Sequence, residues 1–154
     1  MQIKTKLIRD ITIIEKALNS ITSGVMMLPL EDDVKQIAAN FIYHDKNLYI
    51  YFQDKDIYDH LKFNSGTMFT AIKDTSSGNK SKKGSELIYS LFYISVSGVL
   101  KMVKEKKLKN IIWQSFIQKY SGQLMDSESK SKSFSRLVVL DTEEMTATEE
   151  IGSY

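Results

Sequence analysis

Few side chains in this chain of 154 residues are suited to chemistry at neutral pH. There are two histidines, His44 and His60, and no cysteine. Without thiols, disulfides, thiol catalysis, zinc ribbons and iron–sulfur clusters are excluded. Two histidines do not make a metal cage, so no metal is expected. A serine–histidine pair would have to use one of the two, and neither has a neighbour that marks it as a base. His60 lies between Asp59 and Leu61 with Lys62 beyond, the pattern of a surface histidine. The carboxylates show no pair at a spacing diagnostic of acid–base work. The phosphate-cradling patterns GxGxxG and GxxxxGK[ST] do not occur. No catalytic residue is therefore assigned. Any reaction here would draw its hard chemistry from a bound cofactor, with the protein supplying binding, orientation and electrostatics.

The composition narrows the partners. Apolar residues are 42% and charged residues 26%, which is a globular balance rather than a disordered one. The net charge of +2, from 21 basic and 19 acidic residues, is too even for a nucleic-acid binder. Lys101, Lys104, Lys106, Lys107 and Lys109 cluster, but no aromatics interleave with them, so they read as a solvated turn. Lys80, Lys82 and Lys83 lie in a Ser/Gly-rich stretch, Thr75 to Ser85, which reads as a solvated loop; its sharper reading is an anion-attracting flap. No apolar run reaches the roughly 18 residues of a membrane span, and the first ten residues lack a signal-peptide pattern. A cytoplasmic protein with one domain over 1–154 is the expectation.

These residues need elements to place them. Ile3, Leu7, Ile11, Ile14, Leu18 and Ile21 recur at spacings of three and four and predict a helix over 3–22, ended by Ser23-Gly24. Strands are predicted at 25–30, which holds the only proline, Pro29, and at 34–43 and 48–53. The short polar link His44–Asn47 makes the last two a hairpin. A short helix follows over 56–64 and a strand over 67–73. A long β run, 86–103, has Gly98 inside it and so a bulge or bend. A second amphipathic helix, 108–120, turns Leu108, Ile111, Ile112, Phe116 and Ile117 inward, with Trp113 among them as a core aromatic. Residues 121–133 read as a polar loop, and 134–148 as a last strand. Short turns favour antiparallel pairing, and long β runs with central glycines favour a closed barrel.

The strand at 34–43 is the informative one. Alternation puts Lys35, Ile37, Ala39, Phe41 and Tyr43 on one face, towards the barrel interior. Val34, Gln36, Ala38, Asn40 and Ile42 lie on the other, which is small and polar at its centre. A planar ligand or a partner subunit could lie against that face. A half-solvated strand face is the commoner reading of such a pattern.

Five stretches in this order, GVMMLPL (24–30), QIAANFIYHDKNLYIYF (36–52), DIYDHLKFNSGTMFTAI (56–72), LFYISVSGVLKMV (91–103) and FSRLVVLDTEEMTA (134–147), give the chain a likeness. It resembles the pyridoxamine 5′-phosphate oxidase-like family of FMN-binding split β-barrels over about residues 20–150. The resemblance implies an α+β, mainly β fold: an antiparallel split barrel of about six strands over 24–148 with flanking helices. It implies a homodimer with FMN at the interface, and a flavin-dependent oxidoreductase acting on a small molecule. Gln36, Ala38 and Asn40 fall where the ring and ribityl chain would lie, and Ile50, Tyr51 and Gln53 at the phosphate end. The chain departs from the family pattern where the short helix usually offers a basic pair, for it has Asp56-Ile57. An acid there would repel a phosphate dianion, which leaves Lys55 and Lys62 as substitutes. Only Arg136 stands in the last strand where the family's vitamin B6 enzyme has basic residues, so pyridoxamine phosphate oxidation is not expected. The alternative is a non-enzymatic or haem-binding relative that has lost the FMN phosphate site, with His60 as the haem ligand.

Overall fold

The computed structural model describes residues 1–75, 87–120 and 136–154. The predicted loops at 75–85 and 121–133 lie outside the described residues, apart from Thr75. In chain order the elements are β1 (Gln2–Ile8), α1 (Ile11–Ser20), β2 (Gly24–Pro29), β3 (Val34–Ala39), β4 (Ile42–His44) and β5 (Asn47–Tyr51). Then follow α2 (Lys55–Asp59), β6 (Ser65–Asp74), β7 (Leu87–Met102), α3 (Lys106–Lys119) and β8 (Leu137–Ser153).

All the strands form one antiparallel sheet in the order β3-β2-β6-β7-β8-β5-β4, with β1 added to β8. The two edge strands of that path, β3 and β4, are consecutive in the chain. Only Asn40 and Phe41 separate them. A sheet whose outer edges are joined by two residues has to curl, and this produces the split barrel. The expected fold class is therefore the observed one.

The strand predicted at 34–43 is thus two strands that leave opposite edges of the sheet. Phe41 sits at the seam. Its amide donates to the Tyr120 hydroxyl (3.1 Å), and its carbonyl accepts from Lys119 Nζ (3.1 Å). The single Tyr120 proton lies between the carbonyls of Thr22 (2.5 Å) and Phe41 (3.0 Å). The Phe41 ring packs edge-on against Phe69 in the barrel, centroids 4.8 Å apart.

The predicted helix at 3–22 is also two elements. Residues 2–8 pair with β8, from Gln2 opposite Ser153 to Ile8 opposite Ala147. The Ile3, Leu7 and Ile11 spacing suits a helix, but Lys4 and Lys6 alternate as on a strand, and Lys6 stands opposite Glu149. The helix starts later because Asp10 caps it, accepting from the Thr12 amide at 3.0 Å. Ile14 and Leu18 then bury into the barrel.

There are two apolar cores. One fills the barrel: Met26, Leu28, Phe41, Phe69, Ile94, Val96 and Leu100 are fully buried there with Ile14 and Leu18. The second lies between α3 and the outer face of β4, β5 and β8. Both faces of β5 are therefore covered. Leu48 and Ile50 point inward, while Tyr49 and Tyr51 meet α3. Ile42, expected on the polar face, is buried in this second core. On α3, Ile112, Trp113, Phe116 and Tyr120 make the contact, whereas Ile111 and Ile117, expected inward, are exposed. The contact stripe is rotated towards the aromatics, which stack in series from Trp113 to Phe116 to Tyr120.

The bulge expected at Gly98 is present. The register of β7 on β8 slips between Ser97 and Gly98, where Gly98 faces Thr142. A β-carbon on Gly98 would collide with the Asp141 carbonyl oxygen, which is backbone and has little freedom to yield. Gly98→Ala is expected to cost about 1–3 kcal/mol of unfolding free energy. Urea denaturation measures this, and a midpoint equal to that of the natural chain would contradict the close approach.

Candidate functional site

The seam leaves a cleft beside it. The end of β3, the end of β5, the start of α2 and Phe116 of α3 enclose about 450 Å³. This is within the range of small-ligand sites. Ile37, Ala38, Ala39 and Asn40 line one wall and Ile50, Tyr51, Phe52 and Gln53 the other, with Ser23, Asp54, Ile57 and Phe116 around them. The lining is mainly apolar, and its amides and hydroxyls are few.

Of the residues singled out in the sequence, Ala38, Asn40, Ile50, Tyr51 and Gln53 meet around this cleft. Gln36, Lys55, His60 and Lys62 do not line it. Gln36 is exposed on β3 opposite Met27. Lys55 is held by Asp59 at 2.5 Å, one helical turn on. Lys62 is exposed, its amide bonded to the Pro29 carbonyl. His60 ends α2 with Nδ1 2.8 Å from the Asp56 carbonyl oxygen and 3.7 Å from the Asp56 carboxylate. That hydrogen bond, and then the carboxylate charge, raise the imidazole pKa.

Asp54 is the residue that sequence reasoning missed. It caps α2, and its Oδ1 accepts from the Asp56 amide (2.9 Å) and the Ile57 amide (3.2 Å). Its signal was present: an aspartate directly before a short apolar helix is an N-cap. Among the described residues, Asp54 is the one formally charged residue in the lining. Arg136, just before β8, binds the end of β5 from outside the lining. Its Nε donates to the Phe52 carbonyl (2.8 Å) and its Nη2 to the Gln53 carbonyl (3.0 Å).

Tyr51 stands edge-on to Trp113 and Phe116, each 5.2 Å between centroids. Its hydroxyl is buried without a hydrogen-bond partner among the described residues, and burial raises its pKa.

The two halves of an FMN molecule fare differently against these residues. The apolar walls, the small Ala38 and the amides of Asn40 and Gln53 suit a flat ring with heteroatoms on its edge. The phosphate does not fit. The amides at the start of α2 already hold a carboxylate, and no cation among the described residues lines the cleft.

No family model and no curated protein matches the chain. Solved structures do. A candidate 5-nitroimidazole antibiotic resistance protein from Bacteroides thetaiotaomicron superposes with a TM-score of 0.66 at 14% identity, covering 100% of this chain and 93% of that one. A FAD-binding protein from Mesorhizobium loti gives 0.65 at 12%, covering 97% and 99%. A candidate pyridoxamine 5′-phosphate oxidase from Corynebacterium glutamicum gives 0.58 at 14%, covering 95% and 98%. What these likenesses establish is the fold: the chain shares the antiparallel split β-barrel of these structures.

Behind the seam, Lys119 borders a second, smaller cleft with Asn19, Tyr43 and Gln118. Its Nζ donates to the carbonyls of Leu18 (3.3 Å) and Phe41 (3.1 Å) and lies 3.8 Å from the Phe41 ring centroid. Burial pushes its pKa down to about 8. As pH rises above about 8, the folded chain sheds this proton before the unfolded chain does, so stability rises with pH. Tyrosines act in the opposite sense beyond about pH 10. Tyr43, pushed up to about 12 by burial, stays protonated while the unfolded chain ionises. Urea midpoints are expected to rise from about pH 8 and peak near pH 10, and Lys119→Met is expected to abolish the rising limb. A limb that survives the substitution would contradict this assignment.

Proposed function

We propose that this protein binds the ring of a flavin in the cleft between β3 and β5. On this reading it is a flavin-dependent oxidoreductase acting on a small molecule. The observation that carries it is the convergence of Ala38, Asn40, Ile50, Tyr51 and Gln53 on one cleft of ligand size. The flavin-binding neighbour in the same fold supports it. Redox chemistry would be supplied by the ring. The chain's part is to hold it: Ile50 and Phe116 offer apolar contact, and the carboxamides of Asn40 and Gln53 can donate and accept along its edge. The haem reading is not favoured, because its candidate ligand, His60, lies outside the cleft with Nδ1 against the Asp56 carbonyl.

Titration with riboflavin, followed by loss of ring fluorescence, is expected to saturate. Asn40→Leu is expected to weaken binding about tenfold, the worth of one lost polar contact. Unchanged affinity would remove the ring from this position.

The working unit on this reading is a homodimer. The outer face of β2, β3, β6 and β7 carries Val25, Met27, Gln36, Ala38, Met68, Thr70, Ile72, Tyr93 and Ser95, with Asp74 at its end. Met27, Met68 and Ile72 are 41%, 47% and 57% exposed, a density of apolar surface typical of a contact face. Ala38 belongs to both this face and the cleft, so a second copy would border the ligand. Light scattering is expected to give about 35 kDa, twice the chain mass of 17.7 kDa. Ile72→Asp with Met68→Asp is expected to give the monomer mass, and a monomer in the natural chain would refute the interface.

A further inference from the structure

Resting on the flavin reading, we propose that the cleft takes a flavin whose tail bears no phosphate: riboflavin in preference to FMN. The observation is the disposition of the charges near the tail end among the described residues. Asp54 puts a carboxylate in the lining and spends the amides of Asp56 and Ile57 on it. Both amides at the start of α2 therefore already carry an anion.

None of the described cations nearby lines the cleft. Lys55 is paired with Asp59. His60 turns its Nδ1 to the Asp56 carbonyl. Arg136 uses Nε and Nη2 to hold the carbonyls of Phe52 and Gln53. Lys62 does not reach the lining. A phosphate dianion entering here meets the Asp54 carboxylate and, among the described residues, no cation in the lining, and like charges at contact distance repel strongly in a partly desolvated site. An uncharged hydroxyl-bearing tail meets a carboxylate that can accept its hydrogen bonds, with the Gln53 carboxamide beside it.

The experiment compares dissociation constants of riboflavin and FMN for the full chain, by quenching of ring fluorescence near neutral pH. Riboflavin is expected to bind at least about tenfold more tightly. Raising salt from about 0.05 to 0.5 M is expected to narrow that gap by tightening FMN, since screening weakens repulsion. Asp54→Asn is the matched variant. Asparagine caps helices as well as aspartate does, so α2 keeps its start while the charge is lost. In this variant the ratio of FMN affinity to riboflavin affinity is expected to rise about tenfold. FMN binding the natural chain as tightly as riboflavin, or a ratio unmoved by Asp54→Asn, would overturn the inference and leave the flavin reading standing. Failure of both ligands to bind would overturn the flavin reading and this inference with it.

Discussion

The structure depends on how Phe41 is held. The barrel's two edge strands are joined through Asn40 and Phe41, so the chain crosses from one edge of the sheet to the other within two residues. Backbone polar groups at such a crossing lose their ladder partners and need others. Tyr120 and Lys119, from the end of α3, supply them to Phe41, and the Tyr120 hydroxyl also reaches Thr22 before β2. One helix end thereby ties three separate chain segments together. The Phe41 ring, turned into the barrel against Phe69, makes the crossing part of the core.

The cleft follows from that crossing. Where β3 and β4 part, the end of β5 is left facing β3 across a gap, and Phe116 of the same α3 closes one side. Along the gap the character changes from apolar, at Ile50 and Phe116, to polar at Gln53 and Asp54. This gradient suits a ligand with a flat apolar head and a polar tail. Asp54 then acts in two ways: it starts α2, and it puts a carboxylate in the lining at the tail end. Arg136 holds the carbonyls of Phe52 and Gln53 and so fixes the strand end from which Asp54 projects. Stability and selectivity are joined in a few residues.

Much of this was legible in the sequence, for physical reasons that can be named. The hairpin of β4 and β5 was readable from His44–Asn47. Asp45 and Lys46 adopt φ of 46° and 66°, as a tight two-residue turn requires. The bulge was readable from Gly98. The cleft's walls were half readable, because alternation along 34–39 assigns faces without knowledge of partners. Residues 2–8 were misread because Ile3 and Leu7 fit a helical stripe, and only the distant pairing with residues 147–153 makes them a strand. Ile42 and Ile111 were misassigned because the second core is built from segments far apart in sequence, and no local period encodes where α3 docks. Lys55 and Lys62 stand near the tail by their order in the chain, but Lys55 pairs with Asp59 and Lys62 lies outside the lining.

The account's central claim is that the β3–β5 cleft is the ligand site. Amide chemical-shift mapping on the isotopically labelled chain, as riboflavin is added, tests it most directly. The prediction is a set of shifts centred on Ala38, Asn40, Tyr51 and Gln53, with the amides of Lys16 and Lys73, which border the separate cleft beneath α1, unmoved. Shifts centred on Lys16 and Lys73, or a spectrum that does not change at saturating ligand, would contradict it.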